Sequence, residues 1–246
     1  MRNIKLTIEY DGKDFNGWQK QPDKLNIQGT IEKAIESVTG EIVELNASGR
    51  TDAGVHSLGQ VANFKTNSKI PIEKIPIALN TKLKKTIRII EAEEVDERFH
   101  SRLSCKRKTY RYVINNSEFS SALYRNLECH IPQKLDIEKI KQAAKYFEGE
   151  HDFKAFKASG TSSKSSVRTI YKAEIYKRDD GRICIELTGN GFLYNMVRII
   201  SGTLVEVGMD KIKPQDIEKI INEGKREAAG KTLPPYGLFL VKVEYN

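Results

Sequence analysis

Several features that define whole classes of protein are missing from this sequence. Its three cysteines, Cys105, Cys129 and Cys184, are widely spaced and form no C-x-x-C pair. An odd number of isolated cysteines argues against a disulfide framework and against a zinc site. No apolar run approaches the roughly 18 residues of a transmembrane helix, and the N-terminus lacks the apolar segment of a signal peptide. We therefore expect a cytoplasmic protein that does not associate with a membrane.

Phosphate-binding motifs are missing as well. Neither G-x-G-x-x-G nor G-x-x-x-x-G-K-[ST] occurs, so we expect no nucleotide cofactor. What the chain does have is positive charge, with a formal net charge of +8 and an isoelectric point near 9.2. A basic surface is typical of proteins that bind a polyanion, RNA or DNA above all, although basic proteins that bind no nucleic acid also exist.

Hydrophobic periodicity divides the chain into alternating strands and helices. Ile4, Leu6 and Ile8 alternate with other residues, which predicts a first strand, and apolar residues at helical spacing from Ile27 predict a helix that ends at Gly40. The same reasoning predicts strands over 42–48, 58–66, 87–95, 105–115 and 238–245, a hairpin over 166–190, helices over 72–80, 136–149, 193–208 and 215–224, and a linker over 225–237.

This order of elements predicts the fold class and the domains. Both halves mix helices with hairpin-connected strands, which favours an α+β fold with largely antiparallel sheets. We place a boundary near Ser104, so that residues 1–104 form an N-terminal domain and residues 105–246 form a C-terminal domain.

The segment SGRTDAGVH, residues 48–56, is the first candidate for chemistry. Its glycines permit sharp turns and close approach of a ligand, and between them lie Arg50 and Asp52. An aspartate on such a loop could act as a nucleophile or as a general base, whereas the alternative is that Asp52 only hydrogen-bonds its own turn. His56 has no second metal ligand at helical or hairpin spacing, which favours a role in ordering the loop or contacting a phosphate.

The segment CKRKTYRYV, residues 105–113, is the second candidate. If it is a strand, Lys106, Lys108, Tyr110 and Tyr112 share one face. Cations interleaved with aromatic rings suit nucleic acid, because the charges bind phosphates and a ring stacks on a base. The alternative is a solvated edge strand that its lysines protect from aggregation.

The third candidate is Arg198, which lies in the apolar helix predicted over 193–208. A buried arginine needs a carboxylate partner, unless its stem lets the guanidinium reach water. If the partner were a catalytic aspartate, the arginine would keep that carboxyl ionised at neutral pH.

Five blocks of the sequence resemble the bacterial tRNA pseudouridine synthase A family, and they span nearly the whole chain in the family's order. The most specific block is GRTDAGVH with the following GQV and Phe64. The other blocks are YDGKDFNGWQKQ, RKTYRY, NGFLYNMVR and GLFLVKVEY. One departure is Ser57, where the family often has alanine; one small residue replaces another, so the motif is otherwise intact.

The resemblance implies both a fold and a reaction. The expected fold has two ferredoxin-like α/β-sandwich subdomains that form a central cleft. The expected enzyme is an isomerase that detaches uracil from C1′ of its ribose, turns it and rejoins it through C5, at positions 38, 39 and 40 of the tRNA anticodon stem-loop. Such enzymes need no cofactor and no metal, and they act as homodimers.

The resemblance also implies a role for each candidate residue. Asp52 matches the nucleophile, and Tyr110 matches the residue that stacks on the target base. Arg198 matches the arginine that pairs with the catalytic aspartate. Arg50 matches the arginine that helps to expel the base from the helix and takes its place.

Two other functions are compatible with parts of the sequence. One is a non-catalytic RNA-binding protein that uses the basic strand. The other is a hydrolytic nuclease that uses Asp52 and His56, which would cleave RNA and require a metal ion.

Overall fold

The computed structural model describes residues 1–160 and 165–246 and divides the chain into two compact units. The first unit comprises residues 1–106 and 239–246, and the second comprises residues 107–238. The predicted domains, 1–104 and 105–246, stay a prediction, because compactness does not establish which segment folds independently. In the described residues, no helix combines the length and apolar character needed to cross a membrane.

The elements are numbered in chain order. The strands are β1 (Arg2–Tyr10), β2 (Asn46–Ala47), β3 (His56–Thr66), β4 (Ile87–Val95), β5 (Arg107–Asn115), β6 (Cys129–His130), β7 (Gly149–Asp152), β8 (Val167–Lys177), β9 (Ile183–Gly189) and β10 (Leu238–Glu244). The α-helices are α1 (Ile27–Thr39), α2 (Ile75–Lys82), α3 (Ile137–Lys145), α4 (Met196–Gly208) and α5 (Asp216–Glu223). The predicted α+β class with mainly antiparallel pairing is confirmed.

The first unit has a ferredoxin-like order of elements, β1-α1-β2-β3-α2-β4. Strand β1 is antiparallel to both β3 and β4, the short β2 is antiparallel to β3, and β10 pairs with β3 in parallel. The inward side chains of β1 pack against the apolar stripe of α1, and the residues concerned are completely buried: Ile4, Leu6, Ile8, Ile27, Ile31 and Ile35. This core fixes the sheet from which the 48–55 loop projects.

Helix α1 begins and ends where the sequence predicts. The Asn26 side chain accepts a hydrogen bond from the backbone N–H of Gly29 at 2.8 Å, which satisfies one of the unpaired donors of the first turn. Gly40 ends the helix in the left-handed conformation with a φ of 75°.

The strand predicted over 42–48 is wrong for most of its length, because only Asn46–Ala47 pairs with β3. The preceding backbone bonds to side chains instead of to a neighbouring strand. The Leu45 N–H donates to a carboxylate oxygen of Glu32 at 3.1 Å, and Glu41 accepts from the Asn67 N–H. Carboxylates from other elements therefore replace the ladder bonds that a strand would make here.

The second unit pairs its strands in the order β5-β9-β8-β7, all antiparallel, and β6 runs parallel to the end of β5. The predicted hairpin is confirmed as β8–β9, and Gly181 supplies a φ of 83° at its turn. The predicted linker over 225–237 packs closely on α4, since a Cβ on Gly202 would lie 1.8 Å from the Lys231 carbonyl oxygen. That contact anchors the segment that follows α5.

Candidate active site

Asp52 lies on the loop between β2 and β3, in the first unit. Its carbonyl accepts a hydrogen bond from the Val55 N–H at 3.1 Å, which closes a turn around Gly54 at a φ of 77°. The Asp52 side chain is half-buried, and Arg50 two residues before it is exposed. The loop therefore presents a carboxylate and a cation together, with the guanidinium facing solvent.

A buried glutamine holds the start of this loop. Gln60 on β3 is 0% exposed, and its amide N–H donates to the Gly49 carbonyl at 2.9 Å. Its carbonyl oxygen accepts from the Ser48 hydroxyl at 2.7 Å. A buried amide with both ends bonded fixes two successive residues, since leaving either end unpaired would cost free energy.

Thr51 anchors the middle of the loop, directly before Asp52. Its hydroxyl and the Tyr10 hydroxyl form a hydrogen bond of 2.7 Å, and its carbonyl accepts from the Trp18 N–H at 3.0 Å. Burial raises the pKa of Tyr10 to about 12, so the phenol stays protonated at neutral pH and keeps this bond. The backbone on which Asp52 sits is thus bonded through both the side chain and the carbonyl of its neighbour.

Two glycines let the segment after β1 approach the loop closely. A Cβ on Gly17 would lie 2.6 Å from the Thr51 carbonyl oxygen, and Gly17 has a φ of 82°. A Cβ on Gly12 would lie 1.9 Å from the Val55 carbonyl oxygen. No other residue type fits at these two positions, and the YDGKDFNGW block of the sequence therefore supports the GRTDAGVH block directly.

His56 is part of this support. It is 1% exposed, its ring stacks on Phe239 with centroids 4.9 Å apart, and its Nδ1 accepts from the Gly12 N–H at 3.1 Å. The same nitrogen lies 3.1 Å from a carboxylate oxygen of Asp11. The burial fits the predicted role in ordering the loop and does not fit contact with a phosphate. No group of three or more potential ligands for a metal ion occurs in the described part of the chain.

Tyr110 lies on β5 in the second unit, where it is 8% exposed. Its ring meets the edge of Phe192 with centroids 5.1 Å apart and an interplanar angle of 79°. An edge-to-face pair of this kind favours one orientation of the ring. Strand pairing on β9, with Tyr110 opposite Leu187, fixes its backbone.

Arg198 lies in the first turn of α4, also in the second unit. Its Nε donates to the Leu233 carbonyl at 2.7 Å, and one terminal nitrogen donates to the Asn195 side-chain oxygen at 2.6 Å. Asn195 itself has a φ of 60° at the start of the helix. Two directional bonds thus fix the guanidinium, which is half-buried and does not simply extend along its stem to water.

The structure places Arg50 and Asp52 on one loop of the first unit, and Tyr110 and Arg198 on regular elements of the second. Gln60, Thr51 and the two glycines before the loop were missed as contributors to the site. A signal for Gln60 was available, since a glutamine within a mostly apolar strand is a candidate for a buried polar contact.

Comparison with known proteins agrees with this arrangement of motifs. The family model described as tRNA pseudouridine synthase matches residues 6–103 and 143–246. A protein named tRNA pseudouridine synthase A from Acetivibrio thermocellus is 54% identical over 245 residues, covering 100% of both chains. Proteins from Caldicellulosiruptor saccharolyticus and Clostridium perfringens, named tRNA pseudouridine synthase A and tRNA pseudouridine synthase A 2, are each 53% identical over 100% of both chains. The chain belongs to the tRNA pseudouridine synthase family.

Proposed function

We propose that the protein is a cytoplasmic isomerase that converts uridine to pseudouridine at positions 38, 39 and 40 of the tRNA anticodon stem-loop, acting as a homodimer. The observation that carries this proposal is the Asp52 loop, whose family motif is held in shape by Gln60 and Thr51. Relatives that are 53% to 54% identical over their full length are named for the same reaction.

The reaction needs a carboxylate and no external reagent. The bond between C1′ of the ribose and N1 of uracil breaks, the base turns, and a bond between C1′ and C5 forms. The hydrogen on C5 leaves as a proton and N1 gains one, so the product is an isomer of the substrate. Attack of Asp52 on C1′, attack on C6 and a glycal route all require an ionised carboxylate next to the target nucleotide.

The other residues support that step. A uridine in a stem must leave the base stack before a carboxylate can reach it, which costs a few kcal/mol. The exposed guanidinium of Arg50 offsets that cost by occupying the place of the flipped base. Tyr110 stacks on the uracil, and Arg198 pairs with Asp52 and keeps its carboxyl ionised. These roles are proposals that extend the family match to single residues.

A tritium-release assay tests the proposal. An unmodified tRNA transcript labelled with tritium at C5 of uridine is incubated with the wild type, with Asp52→Asn and with Asp14→Asn, in the absence of metal and nucleotide. Asp14 is an exposed carboxylate of the same unit and serves as the matched control. We expect release by the wild type and by Asp14→Asn and none by Asp52→Asn, whose side chain keeps its size and loses its charge.

The remaining outcomes would overturn the proposal. Release by Asp52→Asn at the wild-type rate would remove Asp52 from the chemistry. No release by any variant, with the RNA bound and intact, would indicate a non-catalytic RNA-binding protein. Cleavage of the RNA chain would indicate a nuclease.

A further inference from the structure

A cationic groove lies in the second unit, away from the side chains already assigned. Its volume is about 510 Å³, and its lining comes from the turn after β7 and from the segment that follows α5. The charged lining consists of Lys154, Lys157, Lys225, Arg226 and Glu227. Four cations against one carboxylate leave the groove strongly positive. We call these five residues the basic groove.

Arg226 is a fixed cation at this position. Its guanidinium donates to the carbonyls of Ala229 and Gly230 at 3.2 Å and 3.0 Å and to the Thr232 hydroxyl at 3.1 Å. These partners are neutral, so they hold the side chain in place and leave its charge uncompensated. A preorganised arginine loses little side-chain entropy when it meets an anion.

The three lysines add mobile charge. Among the described residues, Lys154 and Lys157 make no ion pair. Lys225 lies 3.6 Å from Glu223, and the two side chains are 70% and 37% exposed, so this pair is weak. The charge of all three lysines is therefore available to a ligand that enters the groove.

The lining favours a polyanion over a small organic molecule. Pockets for small molecules are mostly apolar and aromatic, whereas this lining has no aromatic residue among the described positions. Gly224, with a φ of 64°, ends α5 at the groove. A helix C-terminus carries partial negative charge, so the attraction for an anion comes from the lysine and arginine side chains.

Backbone contacts connect the groove to the segment that carries Arg198. The N–H of Ala158, which lines the groove, donates to the Tyr194 carbonyl at 3.1 Å. The next residue, Asn195, accepts from the Arg198 guanidinium. A ligand in the groove therefore lies one short segment away from a proposed substrate-binding side chain of the same unit.

We propose that the basic groove binds the phosphodiester backbone of the RNA substrate, on the side of the second unit, an inference that rests on the proposed function. Its cations neutralise successive phosphates without reading sequence. Such contacts position an RNA and set the salt dependence of binding.

The test compares two double variants of the full-length protein. Lys154→Gln with Lys225→Gln removes two groove charges, and Lys211→Gln with Lys219→Gln removes two exposed charges of the same unit outside the groove. The Kd for unmodified tRNA is measured over a range of KCl concentrations, together with kcat and KM for tritium release. We expect the groove variant to reduce the slope of log Kd against log salt by about 2, one for each phosphate contact, to raise KM and to leave kcat unchanged.

The outcomes separate the groove from the function itself. A wild type that releases no tritium overturns the proposed function. An active wild type, with a groove variant whose salt slope and KM equal those of the control variant, overturns the groove alone. If the double variant fails to fold, Lys157→Gln gives the same test with an expected slope change of about 1.

Discussion

Asp52 lies on a loop whose shape depends on contacts from elsewhere in the first unit, whereas Tyr110 and Arg198 lie on a strand and a helix of the second. The loop backbone makes few bonds of its own, so Gln60 and Thr51 supply them individually. Strand β5 and helix α4 already have their backbone bonds and need only side-chain contacts.

This difference teaches where the two units are vulnerable. A site on regular elements takes its precision from the core, and a site on a loop takes it from a few dedicated contacts. Removing a contact from the loop should displace the catalytic group with modest loss of stability. Removing a core contact from the second unit should lower stability and leave chemistry intact.

The largest expected effect separates two tyrosines on the same face of β5. Tyr110→Phe removes a hydroxyl from the proposed site and keeps the ring contact with Phe192, so RNA should bind almost normally. If the hydroxyl takes part in proton transfer, kcat should fall by about 100-fold or more. Single-turnover kinetics of tritium release measures this, and a normal rate would leave Tyr110 as a stacking surface only.

Tyr112→Phe is the matched control. Tyr112 is 0% exposed, and its hydroxyl donates to the Pro234 carbonyl at 2.8 Å. Losing that bond should lower the free energy of unfolding by about 1 kcal/mol, with kcat unchanged. Urea unfolding monitored by circular dichroism checks the first value, and a large fall in kcat would contradict the separation of stability from chemistry in this unit.

A second prediction compares two glycines of the first unit that have similar backbone angles. Gly17→Ala places a Cβ against the Thr51 carbonyl, which must move by most of an ångström, and such a displacement next to Asp52 should lower kcat/KM by about 100-fold. Gly40→Ala carries the same left-handed strain at a φ of 75°, but no atom lies within 4 Å of its Cβ.

Both glycine variants should lose about 1–2 kcal/mol of stability from backbone strain alone. Only Gly17→Ala should lose activity. Equal losses of kcat/KM would show that strain, and not close approach to the loop, governs the effect.

Much of the fold follows from the sequence because its elements are periodic. The stripe of α1 and the turn at Gly181 are local signals, and the structure contains both. The strand predicted over 42–48 failed because Glu32, on another element, bonds the Leu45 N–H. No local pattern reports that a distant carboxylate will replace a neighbouring strand.

The candidate site divides in the same way. Asp52 and Tyr110 stand out by residue type and motif, so they could be predicted before the structure. The role of Gly17 could not, because it depends on a contact with Thr51 that is remote in the chain. Gln60 has the sequence context of an ordinary strand residue, and only the structure shows both ends of its amide bonded to the loop.

The smallest expected effect distinguishes two buried glutamines of the first unit. Gln60→Leu keeps the approximate volume and leaves the Gly49 carbonyl and the Ser48 hydroxyl without their partner. Unsatisfied buried groups should lower the free energy of unfolding by about 2 kcal/mol. The loosened loop should also lower kcat/KM by about tenfold, the equivalent of one hydrogen bond lost from the transition state.

Gln28→Leu makes the same chemical change away from the loop. The Gln28 amide donates to Glu32 at 3.0 Å and to the Leu45 carbonyl at 3.3 Å, so its loss should cost a similar amount of stability. Its kcat/KM should stay at the wild-type value, because none of these bonds reaches residues 48–55. If both variants lost activity in proportion to their stability, the loop would depend on the whole core of the first unit. A loss confined to Gln60→Leu would establish that the loop is held by its own contacts.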